Sequence, residues 1–290
     1  MASAATSTPT TAPSFPLTAG RRAALAVGVP VCLALVGAGA FSLVSNLGEG
    51  SYAVGHKFPA SVKSLDVSVD GGQLTVAATT ARQATLTGTA HYGLVRSQVT
   101  MNTTTGGKTT IGYRCPLPVN NCALDATVNV PAALPVTANT GGGNATVTGT
   151  VGQVSLDTAG GDLTADDVSG ELALNTGGGN IQATDITSNT MTVNTAGGEI
   201  NATGIGSPTV TATTGGGNIV IDFNRVPKHV SVGTAGGDIT LVLPPGHTAY
   251  TIVPSTAGGS FSDGGITTSA SSPNTIAVSS GGGNITIRQQ

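Results

Sequence analysis

The chain has 290 residues, of which 43 are glycine and none is tryptophan, and its formal net charge is −3. Charged residues make up only 9% of the chain, against about 25% in an average domain. A chain with so little charge, few aromatic rings and no basic cluster lacks the features that bind DNA or RNA. Because 39% of the residues are hydrophobic, the composition also differs from that of a disordered chain.

The N-terminal region predicts a membrane anchor. Residues 1–22 are rich in Ala, Ser, Thr and Pro and predict a disordered cytoplasmic tail that ends in two arginines. Residues 23–47 carry no charge and are long enough to span a bilayer as a helix, so that the arginines stay in the cytoplasm. Beyond a predicted linker at 48–62, the rest of the chain would lie outside the cell.

Two other interpretations of this region stay open. A signal peptide cleaved near Ala40 would leave a secreted protein, although the apolar run continues past that residue. A twin-arginine export signal is a further alternative, although only the arginine dipeptide of that motif is present. We favour the uncleaved, single-pass anchor because of the length of the run.

Apolar and polar residues begin to alternate around glycine pairs at residue 64. Alternating runs at 65–69 and 74–76 flank Gly71 and Gly72, which predicts two β-strands joined by a tight turn. A fainter run at 99–108 is interpreted in the same way. Such degeneration is typical of the end of a repeat array, where a capping repeat covers the open edge.

Three cysteines are divided between the two parts of the chain. Cys32 lies in the apolar run and is interpreted as a small apolar residue. Cys115 and Cys122 lie on the predicted outer side, where a disulfide persists, so we expect them to be bonded to each other. The alternative is two free thiols, and no histidine is adjacent to complete a metal site.

From residue 140 the pattern becomes a regular repeat. A Gly-rich turn opened by Thr or Ser recurs eight times, at intervals of 18 to 24 residues. Inward-type residues keep a fixed phase, as at Val154, Leu156 and Thr158 before one turn and Leu163 and Ala165 after it. One unit cannot bury its own apolar face, so the units must stack. The repeat therefore predicts an all-β solenoid, similar to a parallel β-helix, with coils of roughly 18 to 20 residues.

Two features of the turns are expected to be structural. We attribute the glycines to positive φ angles, which glycine adopts without steric cost. The residue that closes each turn would form a column with rungs about 4.8 Å apart, in most of which acid alternates with amide, so that like charges are spaced out. From Gly141 to Ala235, the residue after the Thr alternates in step between Gly and Ala. In sequence order the column is Asn144, Asp162, Asn180, Glu199, Asn218, Asp238, Ser260 and Asn284.

The repeat and its flanks resemble a known bacterial family. The runs 64–76 and 128–144, together with the later Thr-x-Gly-Gly-Asp-Ile turns, are similar to the bacterial candidate-adhesin domain. The resemblance covers about residues 63–290. It implies a β-strand-repeat domain on a membrane-anchored or exported protein, without established catalytic residues.

The repeat and the family resemblance indicate two classes of function. The first is a membrane-anchored, extracytoplasmic and non-enzymatic surface domain, adhesin-like, that presents polar rows to a surface protein, a glycan or the cell wall. The alternative is a polysaccharide lyase or hydrolase on a β-helix scaffold. Within the binding class, a flat threonine row could bind ice. The threonines considered for that row are Thr146, Thr148, Thr164, Thr209 and Thr211.

The enzyme alternative requires clustered carboxylates as acid, base or calcium ligands. The best group falls at turn or outward strand positions, which is typical of a solvated surface. The histidines have no carboxylate or nucleophile at a recognisable spacing. We therefore predict no catalytic residue, no cofactor and no metal site. The residues considered are Asp157, Asp162, Asp166, Asp167, Glu171, His56, His91, His229 and His247.

Overall fold

The computed structural model describes residues 49–116, 122–150 and 152–290. The predicted tail at 1–22, the apolar run at 23–47 and Cys32 lie outside the described residues. The described part is all-β and forms two long sheets. Within that part, no helix has the length and apolar character needed to cross a bilayer.

One sheet has twelve strands and the other eleven. The strands of the twelve-stranded sheet are β1 (Gly50–Lys57), β3 (Leu74–Thr79), β4 (Thr85–Tyr92), β7 (Ala123–Pro131), β9 (Ala145–Thr148), β11 (Leu163–Asp166), β13 (Ile181–Thr184), β15 (Ile200–Ile205), β17 (Ile219–Phe223), β19 (Ile239–Leu243), β21 (Phe261–Ser262) and β23 (Ile285–Gln289). The strands of the eleven-stranded sheet are β2 (Ser64–Val69), β5 (Val99–Thr103), β6 (Lys108–Tyr113), β8 (Val136–Thr140), β10 (Val154–Thr158), β12 (Leu172–Thr176), β14 (Thr190–Thr195), β16 (Thr209–Thr214), β18 (His229–Thr234), β20 (Thr251–Thr256) and β22 (Thr275–Ser280).

Each Gly-rich turn is the corner at which the chain passes from one sheet to the other. Strand β10 lies in the eleven-stranded sheet, and β11, which follows the turn, lies in the twelve-stranded sheet. Strand β10 is parallel to β8 and β12, and β11 is parallel to β9 and β13, all in register. Every coil thus adds one strand to each sheet, which confirms the all-β, parallel architecture predicted from the repeat.

The core fills the space between the sheets. Alternate residues point inward, so that Leu156 and Leu174 on one sheet and Leu163 and Ile181 on the other are at most 1% exposed. Burying side chains of this size stabilises the folded state by about 1.5 to 3 kcal/mol each. Because equivalent positions align, the fixed phase of the sequence becomes a continuous apolar core along the stack.

The coils are not stacked in the order of the chain. Strands β22 and β23, the last coil in sequence, lie between the coil of β18 and β19 and the coil of β20 and β21. At the other end, β2 and β3 lie between β8 and β9 on one side and β6 and β7 on the other. The first and last regular coils are therefore internal, which the sequence order did not predict.

The N-terminal end of the stack departs from two sequence predictions. The stretch 48–62, read as a linker, contains β1, which pairs antiparallel with β4. The faint run at 99–108 is not a coil, because β5 and β6 form an antiparallel pair within one sheet. Antiparallel pairs at this end replace the parallel stacking of the repeat.

At the opposite end, β20 is an edge strand of the eleven-stranded sheet. The N–H groups of Thr251 and Ala257 donate toward β22 at distances of 2.8 and 3.2 Å. Backbone N–H groups along a strand point alternately to its two sides, so the backbone nitrogen of Pro254 faces away from β22. Any other residue at this position would expose an N–H donor at the edge. Proline at this point removes a donor that another strand could bind, which protects the edge.

The glycines of the repeat turns are needed for a different reason from the one predicted. None of the glycines in the eight turns has a positive φ. Instead, the last glycine of each turn lies against the carbonyl oxygen of the neighbouring rung, where an added Cβ would lie at 2.1 Å or less. At the middle glycine, an added Cβ would meet open space or have no atom closer than 3.6 Å. Close approach of backbones, not backbone conformation, thus requires glycine at the last position.

This difference predicts unequal effects of alanine within one turn. At Gly179 an added Cβ would lie 2.1 Å from the Gly161 oxygen, whereas at Gly178 it would meet nothing within 4 Å. We expect Gly179→Ala to lower the free energy of unfolding by about 2 to 3 kcal/mol through overpacking. Gly178→Ala, the matched control, should change it by less than about 0.5 kcal/mol. Equal unfolding midpoints in urea for the two variants would contradict the contact.

Candidate functional site

The residues that close the turns are linked by hydrogen bonds along the stack. The backbone N–H of Asp162 donates to Asn144 Oδ1 at 2.8 Å, and that of Asn180 donates to Asp162 Oδ1 at 2.7 Å. Glu199 N–H donates to Asn180 Oδ1 at 2.9 Å. Each of these three side chains thus accepts from the backbone of the next rung, whereas Glu199 Oε1 accepts from the side-chain amide of Asn218 at 3.4 Å. The hydrogen bonds give the turn column a structural role.

The order of the column differs from the sequence order at its end. Asn284 N–H donates to Asp238 Oδ1 at 2.6 Å, and Ser260 N–H donates to Asn284 Oδ1 at 3.0 Å. Asn284 therefore follows Asp238, and Ser260 is last. In this order acid and amide alternate without a break from Asn144 to Asn284, because the inserted coil supplies the amide that follows Asp238.

The Gly and Ala alternation is restored by the same change of order. In the stack, Ala235 is followed by Gly281 and then by Ala257. An added Cβ at Gly281 would lie 2.3 Å from the Ala235 carbonyl oxygen. The break of the alternation in the sequence, at Ala257, was therefore a signal of the inserted coil.

Buried hydroxyls connect the same turns from inside. Thr176 Oγ1 donates to the Gly161 carbonyl at 2.8 Å and accepts from the Gly179 N–H at 3.1 Å. Thr195 repeats both contacts with Gly179 and Gly198. Each hydroxyl satisfies backbone groups of two rungs, so it is a structural group. The same pair of bonds is made by Thr158, Thr214, Thr234, Thr256 and Ser280.

On the outer side of these threonines, an open groove crosses four strands of the eleven-stranded sheet. Its floor is the column formed by the residue that precedes each threonine: Asn139, Asp157, Asn175 and Asn194, in register on β8, β10, β12 and β14. The lining includes the adjacent turn residues, and the cavity has a volume of about 460 Å³. With rungs about 4.8 Å apart, the four side chains span roughly 14 Å along the stack.

Hydrogen bonds orient three of these side chains. Asn194 Nδ2 donates to Asn175 Oδ1 at 2.9 Å, and Asn175 Nδ2 donates to Asp157 Oδ1 at 2.8 Å. Ser155 Oγ donates to Asp157 Oδ2 at 3.2 Å. The groove therefore presents half-buried amides in fixed orientations around one carboxylate. The sequence analysis missed it, although Asn or Asp precedes Thr in four successive turns.

The carboxylates considered for catalysis are dispersed by the fold. Asp162 belongs to the turn column, and Asp157 belongs to the groove. Asp166 and Glu171 are exposed, in β11 and just before β12. Asp167 has φ of 52° at a corner where the neighbouring rung has Asp185, also at 52°. Asp is among the residues that tolerate this left-handed conformation, so Asp167 has a conformational role at that corner.

The other titratable groups do not converge on the groove. His91 lies 3.5 Å from Asp125, His229 contacts Thr275, and neither lines the groove. Burial raises the pKa of the Tyr113 and Tyr250 phenols, which lie near the two ends of the core. Within the described residues, no group of three or more His, Cys, Asp or Glu could hold a metal ion.

Cys115 and Cys122 form a disulfide at the N-terminal end of the stack. Their Cα atoms are 5.7 Å apart, and the Cys115 N–H donates to Asp70 Oδ2 at 2.8 Å. Closing so short a loop contributes about 2 to 3 kcal/mol to stability. The disulfide joins the segments that follow β6 and precede β7, and the Cys115–Asp70 hydrogen bond connects them to the coil of β2 and β3.

The threonines considered for ice binding do not share a face. Thr146 and Thr164 are partners on β9 and β11 of the twelve-stranded sheet. Thr209 and Thr211 lie on β16 of the other sheet. The partner of Thr148 is Asp166, which interrupts the row. The flat threonine row considered as a hypothesis from the sequence is therefore not formed.

Comparison with known proteins gives a family match over most of the chain. Residues 52–288 match the family model described as Toastrack DUF4097. This match confirms the family resemblance seen in the repeat. Among curated proteins, no relative matches the sequence.

Three solved structures are similar to the chain. A candidate adhesin from Bacteroides fragilis is 14% identical, with a TM-score of 0.46, and the match covers 82% of this chain and 97% of that one. A candidate adhesin from Parabacteroides distasonis is 12% identical, with a TM-score of 0.40 and coverage of 82% and 97%. A candidate lipid-binding protein from the same species is 13% identical, with a TM-score of 0.39 and coverage of 81% and 96%.

The observed order of the turn column predicts where an added charge is harmful. Asn284 neighbours Asp238, whereas Ser260 neighbours only Asn284. We expect Asn284→Asp to lower the free energy of unfolding by about 1 kcal/mol at low salt, because two carboxylates then lie one rung apart. Added salt should reduce the loss by screening.

Ser260→Asp is the matched control, since it adds the same charge in the neighbouring turn. In the observed order this carboxylate lies beside an amide, and its effect on thermal unfolding should be smaller and less dependent on salt. Stacking in sequence order requires the reverse ranking of the two variants, because Ser260 would then lie beside Asp238.

Proposed function

The chain belongs to the Toastrack DUF4097 family, and on this premise we propose that it is a membrane-anchored, extracytoplasmic, non-enzymatic domain that binds an extended glycan. The binding site is the groove of Asn139, Asp157, Asn175 and Asn194. This adhesin-like role combines a surface location, provided by the run at 23–47, with a rigid repetitive face.

The observation that carries this proposal is the register of the groove. Amides that repeat on successive rungs offer donors and acceptors at a constant spacing, which suits a polymer with a regular repeat of hydroxyl and amide groups. Hydrogen bonds already fix the Asn175 and Asn194 amides, so less side-chain entropy is lost on binding. Several weak contacts on one ligand then add through their proximity.

Two further observations support this proposal, one on location and one on the absence of catalysis. Disulfides such as Cys115–Cys122 persist in oxidising compartments, which favours the extracytoplasmic side. The carboxylates considered for catalysis have structural positions: Asp162 accepts from the next rung and Asp167 occupies a left-handed corner. These roles favour binding over glycan cleavage.

The test uses the full chain in detergent and soluble oligosaccharides of β-1,4-linked amino sugars, with calorimetry as the readout. Asn175→Leu removes the amide at the centre of the groove and the bond that orients Asp157. Losing one or two hydrogen bonds at about 1 kcal/mol each should weaken binding by roughly tenfold. The exposed Gln182, outward on the other sheet of the same coil, provides the control Gln182→Leu.

The control should bind as the unmodified protein does. Equal affinities of the two variants would show that the groove is not the binding site. Appearance of shortened oligosaccharides during the titration would instead favour the lyase or hydrolase function.

A further inference from the structure

We propose that the N-terminal corner of the solenoid is a membrane-docking surface, in which loop 93–98 lies against the lipid headgroups of the bilayer that holds the anchor. The inference rests on the proposed anchoring through residues 23–47. It goes beyond that anchoring, because it assigns a folded part of the protein to the membrane surface and so fixes the orientation of the solenoid.

The length of chain between the anchor and the fold places this corner close to the bilayer. Strand β1 begins at Gly50, three residues after the apolar run ends at Leu47. An extended chain covers at most about 3.6 Å per residue, so Gly50 lies within about 11 Å of the end of the run. Since β1 is also the outermost strand of its sheet, the Gly50 end of this edge lies close to the membrane surface.

The register of β1 brings loop 93–98 to the same place. Gly50 pairs with Tyr92, the last residue of β4, so the loop starts beside the entry of the chain. Its Leu94 and Val95 are 40% and 42% exposed. Among the described residues, they are the only large exposed hydrophobic side chains adjacent in sequence.

Aromatic and cationic groups complete the composition of a membrane interface. The rings of Tyr52 and Tyr92 pack with centroids 6.1 Å apart, and the Arg96 guanidinium lies 4.3 Å from the centroid of the Tyr52 ring. Tyrosine is enriched at the headgroup level of membranes, and arginine contacts lipid phosphate. In a chain with only four tyrosines, two of them lie at this corner.

The loop is held rigidly enough to act as a fixed contact. Tyr52 Oη donates to the Ser97 carbonyl at 2.8 Å, and Ser97 Oγ lies 3.2 Å from Cys122 Sγ of the disulfide. Loop 93–98 is therefore tied to both the entry strand and the disulfide. A fixed loop with two apolar side chains in the interface limits the tilt of the domain, so that the groove extends along the stack away from the membrane.

The test places a fluorophore on the full chain in vesicles of phosphatidylethanolamine and phosphatidylglycerol. Leu94→Cys, in a Cys32→Ser background, is labelled with NBD, while Cys115 and Cys122 stay bonded to each other. The control is Val253→Cys, exposed on β20 at the far end of the stack. Lipids with a nitroxide on the headgroup quench NBD that lies at the interface.

We expect the label at position 94 to lose at least about twofold more fluorescence than the label at position 253, since only the former lies in the interface. Flotation of the same vesicles on a density gradient separates the two proposals. If the protein floats but the two labels are quenched equally, the docking surface is wrong and the anchor stands. If the protein does not float, both the anchor and the docking surface are wrong.

Discussion

The structure depends on the close contact between the backbones of neighbouring turns. At the last glycine of each turn, the carbonyl oxygen of the adjacent rung occupies the space that a Cβ would need, as between Gly161 and Gly179. This contact sets the spacing of the corners and keeps the strands of each sheet in register. A bulkier residue would push the rungs apart at one corner while the β-ladders hold them about 4.8 Å apart elsewhere.

The polar features of the surface follow from that register. Once the corners align, one threonine hydroxyl per rung can bridge two turns, and one side chain per rung can accept from the next backbone N–H. The groove arises in the same way, because Asp157 and Asn175 stand at the position before the threonine and meet across adjacent strands. A repeat selected for backbone packing thus also creates ordered rows of amides and carboxylates, which a ligand with a matching repeat could bind.

The two ends of the stack are covered in different ways. The regular coils end on β20, where Pro254 removes an outward donor and leaves the edge unsuited to pairing. At the N-terminal end, antiparallel strands and a disulfide replace the repeat, and the exposed surface combines Tyr52, Leu94 and Arg96. In both regions the coil that is first or last in the regular sequence lies inside the stack. At one end the outermost strands are β1 and β5, and at the other they are β20 and β21. The regular coils that come first and last in the sequence, β2 with β3 and β22 with β23, are covered by these strands and their neighbours.

The sequence by itself determined the all-β class, the phase of the core and the family, because period-two alternation and a short repeat permit few other ways to bury Leu156 and Leu163. It also predicted the residues of the turn column, though not the position of Asn284. Local sequence patterns indicate which face of a strand is buried, but they do not indicate which coils are neighbours. The pairing of coils decided the order of the turn column, the contact that requires glycine, and the groove. Those features depend on contacts between residues 18 or more positions apart, such as Asn175 with Asp157 and Asn284 with Asp238. The tertiary structure decides such contacts, because strand pairing is set by the fit of whole coils rather than by any single segment.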